Sequence, residues 1–321
     1  MPQTRRPNRL ETNPSSRIIS PWSALWLAVG LVGLYYFIPQ LDELNGTLSL
    51  LGHANWWWAA GALALTFLSF IAGAFTQYAA GGRLGSRRTV FRLQLAGSFV
   101  SHFLPFSLGS IGLTVWYYRG FGLSRARGLV VALLPTVFGV LTTIGLLLSV
   151  SPVTLTRLTA RLHLETANWW LITAVIIMLL AGVIIAFMYQ PPFRTTARQL
   201  LAGVKAIRGR RQLWSLIFGS LAMTVISAAA LLASVESIRT SVAFADVFVV
   251  YVLSTLAGGI APTPGGVGAT EAVLTFGLVA TGLSLPQAAA ATLMYRLITF
   301  WLPIIPGGVA LRLLRRQAKN V

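Results

Sequence analysis

The 321-residue chain is 55% hydrophobic and only 10% charged, with a mean hydropathy of +0.74. Soluble chains carry about 25% charged residues, so this balance excludes a soluble protein, and the polar stretches between apolar runs are too short to fold as a catalytic or binding domain. Formal net charge is +18, from 25 Lys and Arg against 7 Asp and Glu. In a soluble chain that would indicate nucleic acid, but here the basic residues lie in loops between apolar runs and no nucleic-acid partner is expected. Cysteine is absent and the histidines His53, His102 and His163 are far apart, so no metal site or other cofactor is expected.

A bilayer core of roughly 30 Å takes about 20 apolar residues in a helix. Six runs have that length: 22–39, 56–82, 128–150, 168–189, 213–235 and 287–311. The first follows a basic tail, 1–20, with Arg5, Arg6, Arg9 and Arg17. It lacks a small-residue cleavage site, so it is read as an uncleaved span. Two further apolar stretches, 93–118 and 244–283, are broken near their middles by Pro and Gly.

Cytoplasmic loops hold the excess of Lys and Arg. With the N-terminus inside and each broken stretch returning to its own side, 21 of the 25 basic residues become cytoplasmic: the tail, Arg83 to Arg92, Arg119 to Arg127, Arg194 to Arg211 and Arg312 to Lys319. The outer loops keep Arg157, Arg161 and Arg239, with Asp42, Glu43, Glu165, Glu236 and Asp246. A single crossing of 93–118 would turn Arg119, Arg125 and Arg127 outward and upset the alternation that follows. For 244–283 a deep hairpin and two full crossings both suit the lengths. Gln77, Tyr78 and Arg83, near the inner end of the second span, are read as ordinary interfacial residues.

The broken stretches resemble each other. Leu104-Pro105-Phe106-Ser107-Leu108-Gly109 aligns with Ala261-Pro262-Thr263-Pro264-Gly265-Gly266, and Gly122-Leu123-Ser124 with Gly282-Leu283-Ser284. Each half is two spans, a hairpin and a span, so three full crossings turn the second copy upside down. The expected fold is an all-α integral membrane protein, six full spans plus two Pro/Gly-broken hairpins arranged as an inverted repeat. The transmembrane domain covers 21–311, with repeats at about 22–150 and 168–311, and a basic tail, 312–321, follows. Such repeats, with broken helices at mid-membrane, are how many transporters alternate access.

The candidate site lies at the hairpin tips. Pro262 and Pro264 cannot continue a helix, whereas Gly265, Gly266 and Gly268 tolerate positive φ. The helix start after them, at Ala269-Thr270-Glu271, offers free N–H groups that attract an anion, including a lipid phosphate. Glu271 and Arg296 are the charges placed inside the membrane, Arg296 roughly 14 Å down its span. Unpaired charges there cost several kcal/mol, so a Glu271–Arg296 pair is expected, either locking hairpin to span or leaving Arg296 partly free for an anionic headgroup. At the first tip, Pro105 and Gly109 mark the turn. His102 beside them is a proton carrier, a phosphate ligand or a hydrogen-bonded structural histidine. The basic loop from Arg194 to Arg211 is accounted for by the positive-inside effect.

The run Ala261-Pro262-Thr263-Pro264-Gly265-Gly266-Val267-Gly268-Ala269-Thr270-Glu271 resembles the PTPGGxGxxE signature of the lysylphosphatidylglycerol synthase transmembrane-region family of flippase-like proteins. That family also includes archaeal proteins associated with dolichol-phosphate sugar chemistry. Ser101 to Gly109 is similar to the family's LPxxxGG segment, with Ser110 in place of its second Gly, and Arg296 in Tyr295-Arg296-Leu297-Ile298 matches a family arginine. The resemblance spans about 22–312. It implies a lipid-handling domain in the inner membrane that moves an aminoacyl-phospholipid or a polyprenyl-phosphate-linked sugar between leaflets, and the basic-residue count puts both termini on the cytoplasmic side. A lipid-modifying enzyme encoded nearby is the partner it suggests. The family's aminoacyl-transferase domain would follow the last span, and with only residues 312–321 there, lysyl transfer is not expected. The rival readings are a membrane-embedded transferase acting on a polyprenyl-phosphate sugar, which would draw a water-facing carboxylate from Glu236 or Asp246, and a non-transporting accessory subunit.

Overall fold

The structure, a computed structural model, describes residues 41–104, 108–161, 209–261 and 263–319. The chain divides into two units, Met1–Asp42 and Glu43–Val321, and the account below concerns the second. The expected spans 22–39 and 168–189, together with the loop from Arg194 to Arg208, lie outside the described residues.

Among the described residues the fold is entirely helical. In chain order the helices are α1 (Leu41–Gly52), α2 (Trp56–Ala80), α3 (Arg87–Ser101), α4 (Leu108–Arg119), α5 (Arg125–Arg161), α6 (Arg210–Ser237), α7 (Phe244–Ile260), α8 (Ala269–Ala280), α9 (Leu285–Arg296) and α10 (Ile304–Lys319). A 3-10 turn, Pro264–Gly266, follows α7, and a π turn, Leu297–Trp301, joins α9 to α10. Among the described residues four helical stretches are long and apolar enough to cross a membrane: Trp56–Ala80, Arg125–Ser149, Arg210–Ser237 and Leu285–Gln317. Three coincide with expected runs to within three residues, and the fourth extends the expected 287–311 by two residues at its start and six at its end. Helix α1 was not expected, since Asp42 and Glu43 were assigned to a loop. Its Leu50 and Leu51 pack against the core.

The helix starts are written locally. Asn55 Oδ1 accepts from the Trp57 N–H at 3.1 Å, and Ser86 Oγ from the Thr89 N–H at 3.1 Å. Ahead of α9, Gln287 Oε1 reaches back to the Ser284 N–H at 3.0 Å, one half of a capping box. Gly122 and Gly282, aligned in sequence, both take positive φ (79° and 104°), and the serine two residues after each precedes a helix.

Helices α3 and α4 form one antiparallel hairpin. A Cβ on Gly97 would lie 3.1 Å from the Ser110 Cβ, and at the open end a Cβ on Gly85 would strike the Tyr117 hydroxyl. The chain therefore returns to the end from which it left. Helices α7 and α8 form the second hairpin, closed by Gly258 against Gly266 at the tip and Gly277 against Val250 further along. Their 17 and 12 residues extend about 25 and 18 Å, short of a roughly 30 Å bilayer core.

Each hairpin has its own core. Tyr118, Leu93, Leu134, Phe138, Leu216 and Leu314 close around the first, and Leu231, Val235, Val250, Leu274 and Leu278 around the second. Helices α2 and α6 meet through small side chains: a Cβ on Gly219 would collide with the Thr76 hydroxyl, and Ala62 and Ala233 are buried together. Small residues let helix backbones approach where lipid supplies no hydrophobic drive. Along α2, Leu63, Phe67, Ile71 and Phe75 are exposed at a spacing of four. Gln77 departs from the interfacial reading. It is buried, its side-chain Nε2 donates to the Val131 carbonyl at 3.1 Å, and its backbone carbonyl accepts from the Tyr118 hydroxyl at 3.2 Å. A buried amide must be satisfied, so Gln77 ties α2 to α4 and α5.

Candidate functional site

The second tip is built by glycine. Helix α7 ends as Ala261 turns extended (φ −65°, ψ 130°), and Gly265, Gly266 and Gly268 all take positive φ (62°, 68° and 89°). L-residues with a Cβ reach that region only at a cost. A Cβ on Gly266 would lie 2.8 Å from the Gly258 Cα, and one on Gly265 would lie 2.5 Å from the Phe300 ring. Pro264 opens the 3-10 turn, and the Thr270 hydroxyl donates to the Gly266 carbonyl at 3.0 Å.

The first tip is made differently. Pro105 lies outside the described residues. Gly109 is needed for closeness rather than for positive φ, because its Cβ would lie 2.5 Å from the Val100 carbonyl carbon. The Ser101 hydroxyl accepts from the Ser110 N–H at 3.0 Å, so a serine starts α4 with a side-chain cap.

The charges meet as a pair. Arg296 Nε donates to Glu271 Oε1 at 2.6 Å, while Glu271 Oε2 accepts from the Gly268 N–H at 2.7 Å. The α8 start read in sequence as free for an anion thus holds a carboxylate of its own. Glu271 bridges the helix start to the last span, which stabilises it on both sides. The Arg296 side chain is only 10% exposed, and its Nη2 is buried without a partner, as is the Thr263 hydroxyl.

Phe300, one turn beyond Arg296, joins the two tips. Its ring lies 4.0 Å from the Arg296 guanidinium carbon and 4.0 Å from the His102 ring. His102 Nε2 is 2.8 Å from the Phe300 carbonyl and Nδ1 is 2.6 Å from the Ser98 carbonyl. Both ring nitrogens thus lie within hydrogen-bond distance of backbone carbonyls. A Cβ on Gly265 would come within 3.7 Å of the His102 Cα.

His102, Gly265, Glu271 and Arg296 are therefore brought together. Gly268 joins them through Glu271, whereas Gly266 turns to Gly258 and Gly109 to Val100. Pro262 is outside the described residues. Phe300 escaped the sequence reading; its spacing of four from Arg296 was the available signal, hidden among many aromatics. Asp246 was placed in a water-facing loop, but it is buried in the first turn of α7, with Oδ1 unpartnered. That removes it as the exposed carboxylate of a transferase.

Compared with known proteins, the chain is similar to a UPF0104 membrane protein of Pyrococcus horikoshii. The two are 34% identical over 73 residues, 23% of this chain and 22% of that protein, so the match spans about a fifth of the relative's length. Residues 22–307 match the family model described as the lysylphosphatidylglycerol synthase TM region. With four long apolar helices among the described residues and a match over most of its length, the chain is a multi-pass membrane protein that belongs to the lysylphosphatidylglycerol synthase TM region family.

Proposed function

We propose that the protein moves an anionic or phosphate-bearing lipid, an aminoacyl-phospholipid or a polyprenyl-phosphate-linked sugar, between the leaflets of the bacterial-type inner membrane. The observation that carries this reading is the buried, unpartnered Nη2 of Arg296 beside the meeting point of two hairpin tips. An orphan donor on a buried arginine is costly, and a phosphate oxygen is a partner suited to it. The Glu271 bridge holds the guanidinium in place without using all of its donors.

Both hairpins are re-entrant in this reading, and the two halves form an inverted repeat. Support comes from the shared order of helix, two-helix hairpin and helix in α2 to α5 and α6 to α9, from the packing of α2 on α6, and from the matched positive φ of Gly122 and Gly282. The termini are cytoplasmic by the distribution of basic residues. Broken helices meeting at mid-depth let a headgroup cross while the tails stay in lipid.

The test is transfer of labelled anionic phospholipid or polyprenyl-phosphate sugar between leaflets of vesicles containing the purified protein. Wild type is expected to exceed empty vesicles. Arg296→Gln and Gly265→Val should abolish the excess, and Arg296→Lys should keep part of it, since charge survives without the bidentate fork. Transfer no faster than in empty vesicles, or unchanged in the mutants, would overturn the reading.

A further inference from the structure

A second place for lipid lies away from the tips, between α4 and α5. Gly112, Val115, Trp116 and Arg119 follow one another at helical spacing along a face of α4, and Arg125 and Leu129 do so on α5. Together they line an open groove of about 350 Å³. Its two ends differ in chemistry. Arg119 and Arg125 are exposed at the rim, one at the end of α4 and the other at the start of α5, and among the described residues neither has an acidic partner. The floor is apolar, and a Cβ on Gly112 would meet nothing within 4 Å. Seven residues separate Gly112 from Arg119, so the groove descends about 10 Å from charge to hydrocarbon depth. Trp116, 44% exposed, stands between, as amphipathic rings do at headgroup level.

We propose that this groove holds an anionic glycerophospholipid, with its phosphate between Arg119 and Arg125 and the start of one acyl chain over Gly112, Val115 and Leu129. Two guanidinium groups at one rim match a phosphodiester through charge-assisted hydrogen bonds, and the apolar floor suits the chain attached to it. A free phosphate would use the rim and leave the floor exposed. The site does not depend on leaflet transfer, since it shares no residue with the tips.

The test measures binding of phosphatidylglycerol, and of phosphatidylcholine with the same chains, to purified full-length protein in detergent by native mass spectrometry. Wild type is expected to prefer phosphatidylglycerol, and the double change Arg119→Gln, Arg125→Gln to weaken it about tenfold or more. Gly112→Leu, whose Cβ meets nothing within 4 Å, puts a side chain into the floor and should weaken binding to a similar degree while the protein stays monodisperse. Arg315→Gln with Arg316→Gln removes the same charge from the exposed end of α10 and should change binding by less than about twofold. Three outcomes would each overturn the proposal: equal loss in the α10 pair, which would make the attraction a property of the whole basic face; unchanged binding in Gly112→Leu, which would leave the groove empty; and equal binding of phosphatidylcholine.

Discussion

The Arg296 guanidinium carbon lies 4.0 Å from the centroid of the Phe300 ring, and that ring also occupies the space a Cβ on Gly265 would need. One aromatic side chain thus touches the buried cation, the second hairpin tip and, through His102, the first. The arrangement depends on the π turn, Leu297–Trp301, placed where the last span passes both tips. Single π turns inside helices are frequent at functional sites.

Phe300→Ala should cost about 3–5 kcal/mol, the usual range for emptying a buried aromatic site. Phe300→Leu retains most of the volume and should lose chiefly the cation–π and ring contacts, about 0.5–2 kcal/mol. Thermal midpoints in detergent would rank the three proteins. Equal midpoints for wild type and Phe300→Ala would mean that the ring does not hold the tips.

Glu271→Gln leaves the buried Arg296 charge unpaired, a change costing about 3–5 kcal/mol, and Arg296→Gln leaves the part-exposed Glu271 unpaired at a smaller cost, whereas replacing both partners is often nearly neutral. The double mutant should recover most of the lost stability. Glu271→Ala should be worse than Glu271→Gln, because glutamine still offers an acceptor to the Gly268 N–H. Strictly additive losses would show that the 2.6 Å contact carries no coupling.

Two glycines three residues apart on α4 should respond in opposite directions. Gly109→Ala drives a Cβ into the Val100 backbone and should destabilise by about 1–3 kcal/mol, as overpacking does. Gly112→Ala meets open space and should stabilise by up to about 1 kcal/mol through helix propensity. Denaturation of the two single mutants side by side checks the sign of each.

Orientation can be read chemically because the chain has no native cysteine. Single cysteines at Arg88 and Arg125 should both resist an impermeant thiol reagent in intact cells and react once the cells are opened. These positions flank the α3–α4 hairpin at its open end. Labelling of one from outside would mean that 93–118 crosses the membrane, which would remove the inverted repeat.

Much of the scaffold is legible in the sequence because lipid imposes one-dimensional rules. An apolar run must reach a set length, basic residues collect on one side, and a chain reverses tightly between two helices only through residues such as the glycines at 265, 266 and 268. The pairing of Glu271 with Arg296 follows from the same reasoning, since a charge among apolar residues needs a partner and few charges are there to supply one. What the tertiary structure alone decided concerns groups whose role depends on a neighbour distant in sequence. Nothing local distinguishes Phe300 from the other aromatics, and the π turn that aims it has no composition of its own. Gln77 reads as interfacial until Val131 and Tyr118 close over it, and Asp246 reads as a loop carboxylate until α7 buries it. The helix start after Gly268 reads as an open anion site until the side chain three residues on folds back to fill it. Periodicity and charge counts describe how each segment meets the bilayer, but the partners of a buried polar group are fixed only when the helices pack.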